Sequence, residues 1–405
     1  MKRLSHRIYT PAAEPRILSG TGVLQRATPS PVHLVFMHGL MGTHRNFASV
    51  CAAMSGAQDE KSRMADLKME EVRRVTVPSD CDEAAGCCAH PGTAGAPRVY
   101  QCVAFDWRNH GDSEHNPNMT LDGLAEDVTD FLADYGTAVL AAPSPVPLIL
   151  VAHSMGALGL MHWMWTEHLR QWRDRVLANG LGPLRPSQSA AATSQRSLFA
   201  TPAYRVLGAV LIDTAPAERP ASFYDTTRLI RSLSSVPLGT LHSRTAVEGW
   251  MQQHGPRDLC TPDKIWLLRY QLSNLTFPKG AAPTWRIGLE EIINGLDRIS
   301  WSSGSVARDA IVREVERLAV SRGLPTPAPP PLDEFPVSCV FGATSPYDTA
   351  ATRAAVRRIF KAPSILEMED AGHFLFMWQK RTFVSTLRDV CYALEKAGGM
   401  LRGMA

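Results

Sequence analysis

Long hydrophobic runs are missing from this chain of 405 residues, and none approaches the ~20 apolar residues that a membrane-spanning helix needs. The formal net charge is only +3, and no basic cluster is interleaved with aromatic residues. Nucleic-acid binding therefore has no support in the sequence. Since 45% of the residues are hydrophobic and 20% are charged, the chain can bury a sizeable core, which is typical of a soluble globular enzyme.

Cysteine is also scarce, because eight thiols in a chain of this size do not form a disulfide framework. Four of them fall in predicted strands or helices, where thiols commonly serve as small buried hydrophobic groups: Cys51, Cys102, Cys339 and Cys391. The one cluster, Cys81, Cys87 and Cys88 with His90, lacks the C-x-x-C pair of zinc sites. We interpret it as an irregular loop in a reducing compartment rather than as a metal site.

Continuous apolar runs alternate with helix-like stretches along the chain. Such runs are typical of strands whose two faces are both buried, as in a mainly parallel sheet covered by helices. The predicted strands are residues 34–37, 103–105, 148–151, 206–212, 337–341 and 365–368. The sequence therefore predicts an α/β fold with a mainly parallel central sheet flanked by helices.

Ser154 follows one of these apolar runs and precedes a helix-like stretch, which is the outline of a nucleophile elbow. The small residues Ala152 and Gly156 stand two positions before and two after the serine, and they allow the sharp turn that exposes its hydroxyl. The usual signature is G-x-S-x-G, so Ala152 is a departure, although a small one. We predict that Ser154 is a catalytic nucleophile.

A second apolar run, residues 32–37, ends in His38 and Gly39. In nucleophile-elbow hydrolases, the loop at this point supplies one backbone N–H of the oxyanion hole, and the residue after the nucleophile supplies the other. These N–H groups are predicted to be those of Leu40 and Met155. We expect His38, placed directly before a glycine, to fix this loop rather than to act as the base.

A nucleophilic serine needs a base, because its hydroxyl is almost never ionised near neutral pH. His373 lies in an Ala-Gly-His loop after the last predicted strand, and imidazole titrates in the required range. Its place also agrees with the order serine, acid, histidine along the chain. His373 is therefore the predicted general base.

These segments and several others together resemble the α/β-hydrolase superfamily, and more narrowly the branch of α/β-hydrolase-domain protein eleven and related small bacterial esterases. The resemblance rests on residues 38–42 with 46–47, 106–113, 153–156, 213–216, 285–286 and 371–373, and the Arg-Asn-His-Gly-Asp-Ser run at 108–113 discriminates best. It covers nearly the whole chain from about residue 16 onward. It implies a serine hydrolase for carboxylic esters or thioesters of acyl or lipid-like kind, a small-molecule substrate, and no metal or organic cofactor.

The acid of the triad is less well marked. Many members of the fold carry it after the strand that follows the lid, but here that position holds Ser345. The branch that the chain resembles implies an acid one strand earlier, which points to Asp213 as the third member of the triad. Asp348 and Glu290 remain alternatives, the latter because it follows the Trp285-Arg286 motif.

The motif order spreads one active site from Ser154 to His373, so we predict one catalytic domain with an inserted helical lid. In the predicted lid, Ile311, Val315 and Leu318 share one helical face. The predicted segments are a possible targeting segment at 1–15, a first core part at 16–215 with insertions at about 55–99 and 178–204, the lid at 216–323, a proline-rich linker at 324–334, and a second core part at 335–405.

The first 30 residues are basic and hydroxylated, and Glu14 is their one acidic residue. This composition is typical of a mitochondrial presequence, and domain protein eleven, which the chain resembles, is mitochondrial. However, residues 16–18 are expected to belong to the first strand already. We expect a mitochondrial location, with the cytoplasm as the alternative.

Two other classes of function fit the same residues. The chain could be a binding or signalling module that keeps a hydrolase pocket with little turnover, because fold does not fix function. It could also be a lyase, transferase or peroxidase variant that uses the same elbow. A fluorophosphonate probe combined with product analysis on acyl esters of graded length would discriminate best among these functions.

Overall fold

The computed structural model describes residues 4–9, 32–56, 98–139, 145–180, 198–303 and 305–398. The cysteine cluster at Cys81, Cys87, Cys88 and His90, and the predicted strand residues 16–18, lie outside these ranges. Most of the two predicted insertions lies outside them as well.

A seven-stranded sheet forms the centre of the fold, with strand order β1-β3-β2-β4-β5-β8-β9. Its neighbouring strands are all parallel except β1, which pairs antiparallel with β3 at the edge. The strands are β1 (His6–Tyr9), β2 (His33–Met37), β3 (Gln101–Phe105), β4 (Val146–His153), β5 (Tyr204–Ile212), β8 (Val337–Gly342) and β9 (Ser364–Met368), and a separate hairpin consists of β6 (Leu275–Thr276) and β7 (Thr284–Trp285).

Helices cover both faces of the sheet and connect its strands. They are α1 (Ala48–Ser55), α2 (Leu121–Val139), α3 (Met155–Ala178), α4 (Ala221–Ser232), α5 (Arg244–His254), α6 (Ile265–Leu272), α7 (Leu289–Gly295), α8 (Val306–Ser321), α9 (Ala350–Ile359), α10 (Leu375–Trp378) and α11 (Lys380–Ala397). None of the helices in the described ranges is both long and apolar enough to cross a bilayer.

Strand β4 shows why the apolar runs in the sequence are continuous, rather than alternating between apolar and polar residues. Leu148 and Leu150 point into the hydrophobic core on one side of the sheet, whereas Ile149 and Val151 point into the core on the other side. Because both faces of a central strand are buried, every position along it is apolar. The predicted α/β fold with a mainly parallel central sheet flanked by helices is confirmed, and each of the six predicted runs lies within an observed strand.

The edge strand β1 was not predicted. His6–Tyr9 lies in the segment 1–15 for which we considered a targeting role, and it pairs with β3 so that His6 is opposite Phe105. Only Tyr9 of the strand is buried, so it carries no apolar run that could have revealed it. The described part of this segment belongs to the sheet, and the mitochondrial location stays a prediction.

The region between β5 and β8 contains two separate groups of helices. Helices α4 to α7 share a hydrophobic cluster of their own, which includes Leu229, Met251 and Leu268 and reaches Met41 of the core. We call this group, residues 221–296, the cap. Helix α8, which lies in the predicted lid, packs on α3 instead, with Ile311 and Val315 buried against Trp172 and Val176.

The proline-rich segment after α8 is fixed to the core. The His168 side chain of α3 donates a hydrogen bond from Nε2 to the Pro330 carbonyl oxygen at 2.8 Å. Leu332 forms a parallel bridge with Phe360. These contacts return the chain from α8 to the sheet at β8.

The end of the second predicted insertion, 178–204, is part of the core. Phe199 is only 4% exposed, and its ring packs edge-on against Trp163 and Phe335 at centroid distances of 5.4 and 5.0 Å. Tyr204 begins β5. The predicted boundary was therefore wrong, because two isolated aromatic residues beside a low-complexity stretch do not produce a recognisable apolar run.

We expect Phe199→Ala to lower the free energy of unfolding by about 3–5 kcal/mol, because it removes a buried aromatic ring and leaves a cavity. Tyr224→Ala is the matched control, since that ring is 61% exposed and its loss should cost less than about 0.5 kcal/mol. Urea unfolding followed by circular dichroism measures both. Equal effects of the two changes would show that residues near 199 do not support the core.

Candidate active site

Ser154 stands between the end of β4 and the start of α3, in a backbone conformation with φ 52° and ψ −121°. A positive φ is strained for a residue with a side chain, and such strain persists where the surrounding structure enforces it. Here the Ser154 N–H donates to the Ile212 carbonyl oxygen at 3.0 Å. The tight turn leaves the hydroxyl at the carboxyl edge of the sheet, where the neighbouring strands β2 and β5 also end.

Gly156 is required by a close approach of two backbones. A Cβ atom at this position would lie 2.4 Å from the His38 carbonyl oxygen. Ala152, by contrast, lies within β4, opposite Met37 of β2 and Leu211 of β5, and is fully buried. The sheet therefore accommodates the methyl group that departs from the usual signature.

His373 lies on the loop after β9, between Ser154 and Asp213. The Ser154 hydroxyl oxygen Oγ is 2.9 Å from His373 Nε2, and His373 Nδ1 is 2.6 Å from Asp213 Oδ2. With a proton on Nδ1, the imidazole donates to the carboxylate and accepts from the serine hydroxyl. The three residues that the sequence singled out thus form one continuous hydrogen-bonded chain.

Asp213 directly follows β5 and is completely buried. Besides the His373 imidazole, its carboxylate accepts a hydrogen bond from the Gly342 N–H at 2.9 Å and another from the Ser345 hydroxyl. Its backbone also has a positive φ, 53°. The carboxylate is therefore held from three sides, and Ser345, at the position where many relatives carry the acid, donates to the acid instead.

The two alternative acids do not contact His373. The Asp348 carboxylate accepts hydrogen bonds from Arg353 Nε and Nη2, each at 2.6 Å. Glu290 is exposed on helix α7. Of the three candidates, only Asp213 has a geometry suited to orient the imidazole.

The predicted oxyanion-hole residues, Leu40 and Met155, line one cavity together with Ser154. Met155 is the first residue of α3, so its N–H is one of the helix-terminal donors that have no intrahelical acceptor. Neither backbone N–H has a hydrogen-bond partner within the part of the chain that the structure describes. Both are thus available to a ligand oxygen near Ser154.

Side chains from two directions hold the backbone next to Leu40. The Met41 N–H donates to His110 Nε2 at 3.1 Å, and Asn274 Nδ2 of the cap donates to the Met41 carbonyl oxygen at 2.9 Å. Burial lowers the pKa of His110 to about 3, so the ring stays neutral and can accept. Met41 itself has a positive φ of 61°. Sequence reasoning quoted His110 only within a motif and missed Asn274, which no local pattern marks.

His38 also fixes the loop that contains Leu40. Its Nδ1 donates to the Gly39 carbonyl oxygen at 2.8 Å, and its Nε2 accepts from the Trp107 N–H at 3.3 Å. Burial lowers the pKa of His38 to about 4. Both ring nitrogens are thus hydrogen-bonded to backbone groups, which agrees with the expected loop-fixing role.

A buried carboxylate, Asp106, joins the loop after β3 to the segment after β2. It accepts hydrogen bonds from the backbone N–H and the Nδ1 of His44, at 2.6 and 2.9 Å. Burial alone would raise the pKa of Asp106, but the hydrogen bonds and charges of His44 and His38 outweigh burial and hold that pKa below its usual value.

The His373 ring is held in place by two neighbours. Tyr347 stacks on it at a centroid distance of 4.6 Å and an interplanar angle of 21°. His153 Nε2 donates to the His373 carbonyl oxygen at 2.9 Å, and burial lowers the pKa of His153 well below its usual value. Sequence reasoning assigned no role to either residue.

An apolar cavity of about 360 Å³ opens at Ser154 and His373 toward the cap. Its walls include Trp266, Leu267, Tyr270, Phe374 and Trp378. The cap contributes the first three of these side chains. The predicted lid thus has a counterpart in the cap helices, which border the candidate site.

Within the described ranges, no three His, Cys, Asp or Glu side chains are grouped so that they could hold a metal ion. The five described cysteines, Cys51, Cys102, Cys260, Cys339 and Cys391, are free and buried.

Residues 90–385 match the model of the alpha/beta hydrolase family. The sn-1-specific diacylglycerol lipase ABHD11 of Mus musculus is 28% identical over 123 residues, which are 30% of this chain and 24% of that protein. The match therefore spans about a quarter of the length of this curated relative. A marine microorganism esterase of known structure has the same fold, with a TM-score of 0.57 and 16% identity over 96% of this chain and 99% of that one.

Gly156→Ala should lower both turnover and stability, because its Cβ would meet the backbone oxygen of His38 and force β2 and α3 apart. Overpacking of this kind costs about 1–3 kcal/mol. Gly249→Ala is the matched control: nothing lies within 4 Å of its Cβ position inside α5, so it should stabilise the protein by about 0.5–1 kcal/mol. Chemical unfolding of both variants measures the difference, and a Gly156→Ala protein as stable as wild type would contradict the close approach.

Proposed function

The chain belongs to the alpha/beta hydrolase family, and on this premise we propose that it is a serine hydrolase that cleaves carboxylic esters or thioesters. The observation that carries the proposal is the hydrogen-bonded chain from the Ser154 hydroxyl through His373 to Asp213, with distances of 2.9 and 2.6 Å. Nucleophile, base and orienting acid are within hydrogen-bonding reach of each other, which is the arrangement that defines a catalytic triad.

In the proposed mechanism, the Ser154 oxygen attacks the carbonyl carbon of the substrate while His373 Nε2 takes the hydroxyl proton. The carbonyl oxygen becomes an oxyanion, which the backbone N–H groups of Leu40 and Met155 stabilise. The intermediate collapses, the bond to the leaving oxygen or sulfur breaks, and His373 gives its proton to that leaving atom. Water then attacks the acyl-enzyme with the same histidine as base and releases the acid.

Asp213 supports this cycle by its charge and position. While His373 carries the extra proton, the buried carboxylate at 2.6 Å stabilises the imidazolium and keeps Nδ1 protonated. Gly342 and Ser345 in turn hold the carboxylate. Ser345 is therefore proposed as a positioning residue that acts through Asp213.

The proposed substrate is an acyl or lipid-like ester or thioester. The cavity of about 360 Å³ beside Ser154 is lined mainly by apolar and aromatic side chains, which suits an apolar substituent. The lipase and esterase names of two similar proteins support the same substrate class. The walls of this cavity do not favour an oxygen over a sulfur leaving atom. Turnover should therefore be measured on matched esters and thioesters.

We expect a fluorophosphonate probe to label the wild-type protein at Ser154, and Ser154→Ala to abolish both labelling and turnover. Loss of a triad serine costs about 10⁶ in turnover in a serine protease. Turnover is measured on matched aryl esters and thioesters of graded acyl length, with circular dichroism as the folding control. Ser321→Ala, an exposed serine at the end of α8, should behave as wild type. A folded Ser154→Ala protein with activity within tenfold of wild type would refute the proposal.

Asp213→Asn should lower turnover by about 10⁴, the loss seen for the corresponding change in a serine protease, because the amide favours the wrong imidazole tautomer. Asp348→Asn is the matched control, since Asp348 pairs with Arg353 and not with His373. The two replacements are equal in size, so packing losses are small. Steady-state turnover of both variants is measured at pH 8. A near-normal Asp213→Asn enzyme together with an inactive Asp348→Asn enzyme would identify Asp348 instead of Asp213 as the acid of the triad.

A further inference from the structure

Ser154 lines two cavities that differ in chemistry. The larger one, described above, includes His373 and the cap aromatics. The smaller one has a volume of about 150 Å³ and includes Met155, Tyr347 and Arg219, but His373 is not among its lining residues. Two charged residues, Glu218 and Arg219, line this smaller cavity together with Ser154, and Arg219 is the more buried of the two.

Arg219 has an incomplete set of partners. Its Nη2 donates to the Leu296 carbonyl oxygen at 2.8 Å, and its guanidinium carbon lies 4.1 Å from the centroid of the Phe223 ring. Its Nε is buried without a hydrogen-bond partner. Burial removes part of the hydration of this cation and so lowers the pKa of Arg219.

No carboxylate of the described residues forms an ion pair with Arg219. Asp297, the residue after Leu296, is exposed and pairs with Arg231 at 3.1 Å. Glu218 lines the same small cavity, but its side chain is exposed and does not form an ion pair with Arg219. Burial outweighs the charge of Asp297, which raises the pKa of Arg219 through space, and no direct ion pair forms between the two. A part-buried cation without a directly paired carboxylate is costly to the folded protein, and such groups are normally paired.

A guanidinium group is well suited to bind a carboxylate. Its planar arrangement of donors matches the two oxygens of a carboxylate, and a charge-assisted hydrogen bond is stronger than a neutral one. An incoming carboxylate would compensate the Arg219 charge, and it would be a partner for a guanidinium that has an unpaired donor, Nε. The cavity next to Ser154 therefore has the chemistry of an anion-binding subsite.

The position of His373 decides which part of the substrate would occupy this subsite. In the proposed mechanism, His373 must protonate the leaving atom, so the leaving group extends into the larger cavity that His373 lines. The acyl group then extends into the smaller cavity toward Arg219. A dry cavity of comparable volume in another protein accepts a benzene-sized molecule of roughly six non-hydrogen atoms, so the acyl group that fits here is short.

We propose that Arg219 binds the free carboxylate of a short dicarboxylic acyl group, so that the enzyme prefers half-esters or half-thioesters of short dicarboxylic acids whose alcohol or thiol part is apolar. This inference rests on the proposed hydrolase function and adds to it the class of acyl group. Arg219 acts here as a specificity residue that contacts the substrate away from the reacting carbonyl.

The test compares two esters of one aryl alcohol, the hemisuccinate and the butyrate, which have similar length but differ in the terminal charge. We expect wild type to have the higher kcat/KM for the hemisuccinate, and Arg219→Gln to lower the ratio of the two values about 10- to 150-fold, which corresponds to the ~1.5–3 kcal/mol of a hydrogen bond to a charged group. Arg219→Lys should give an intermediate ratio, because it keeps the charge but loses the planar donors.

Arg228→Gln is the matched control, because Arg228 is an exposed arginine of helix α4 that pairs with Asp258. It should keep the wild-type ratio. Added salt should lower the wild-type ratio more than that of Arg219→Gln, since salt weakens attraction between charges. An Arg219→Gln enzyme with the wild-type ratio would overturn the anion subsite, while butyrate turnover that depends on Ser154 would leave the hydrolase function standing.

A binding measurement keeps the two proposals separate when neither ester is hydrolysed. Calorimetry with succinate on the Ser154→Ala protein should show binding, and adding Arg219→Gln to that protein should weaken it at least tenfold. Equal succinate affinity of the single and the double variant would overturn the role of Arg219. Lack of turnover on both esters would count against the hydrolase function alone.

Discussion

The buried carboxylate of Asp213 is the constraint on which the carboxyl edge of the sheet depends. A charge with no exposure to water is tolerated only when it is hydrogen-bonded from several sides. Its donors come from the end of β8 at Gly342, from the following turn at Ser345, and from His373 after β9. Satisfying one carboxylate thus fixes three chain segments relative to β5 and brings the imidazole to Ser154.

The rest of the site depends on close contact between backbones. Gly156 lets α3 begin against the carbonyl oxygen of His38, which brings the Met155 N–H and the Leu40 loop to the same cavity. His110 and Asn274 then fix Met41 from the sheet side and from the cap side. Because one of these contacts comes from the cap, the backbone next to Leu40 is held by the cap as well as by the core.

The sequence predicted two kinds of feature correctly: strands that are buried along their whole length, and residues whose local turns require small neighbours. The central strands could be predicted because both faces of each are buried, so every position is apolar, as in β4. Ser154, His373 and Leu40 could be proposed because tight turns restrict their neighbours to glycine and alanine. The edge strand β1 and the packing of Phe199 could not, since an exposed edge has no apolar run and a single aromatic ring has no periodicity.

Contacts between distant segments were also beyond sequence reasoning. Nothing near Asn274 marks it as a partner of Met41, and nothing near Arg219 indicates that it lines a cavity with Ser154, because both relations arise only when segments that are distant in the sequence pack together. The choice among Asp213, Asp348 and Glu290 was open for the same reason. Their distances to His373 depend on how β5, β8 and β9 align.

The central claim is that Ser154 forms a covalent acyl-enzyme. Rapid mixing of the wild-type protein with an aryl ester, followed by acid quenching and intact-mass measurement, tests it directly. The account predicts a burst of released alcohol equal to the enzyme concentration, together with a mass increase of one acyl group that peptide mapping assigns to Ser154. Ester hydrolysis without a burst and without any acyl adduct, or an adduct on another residue, would contradict it.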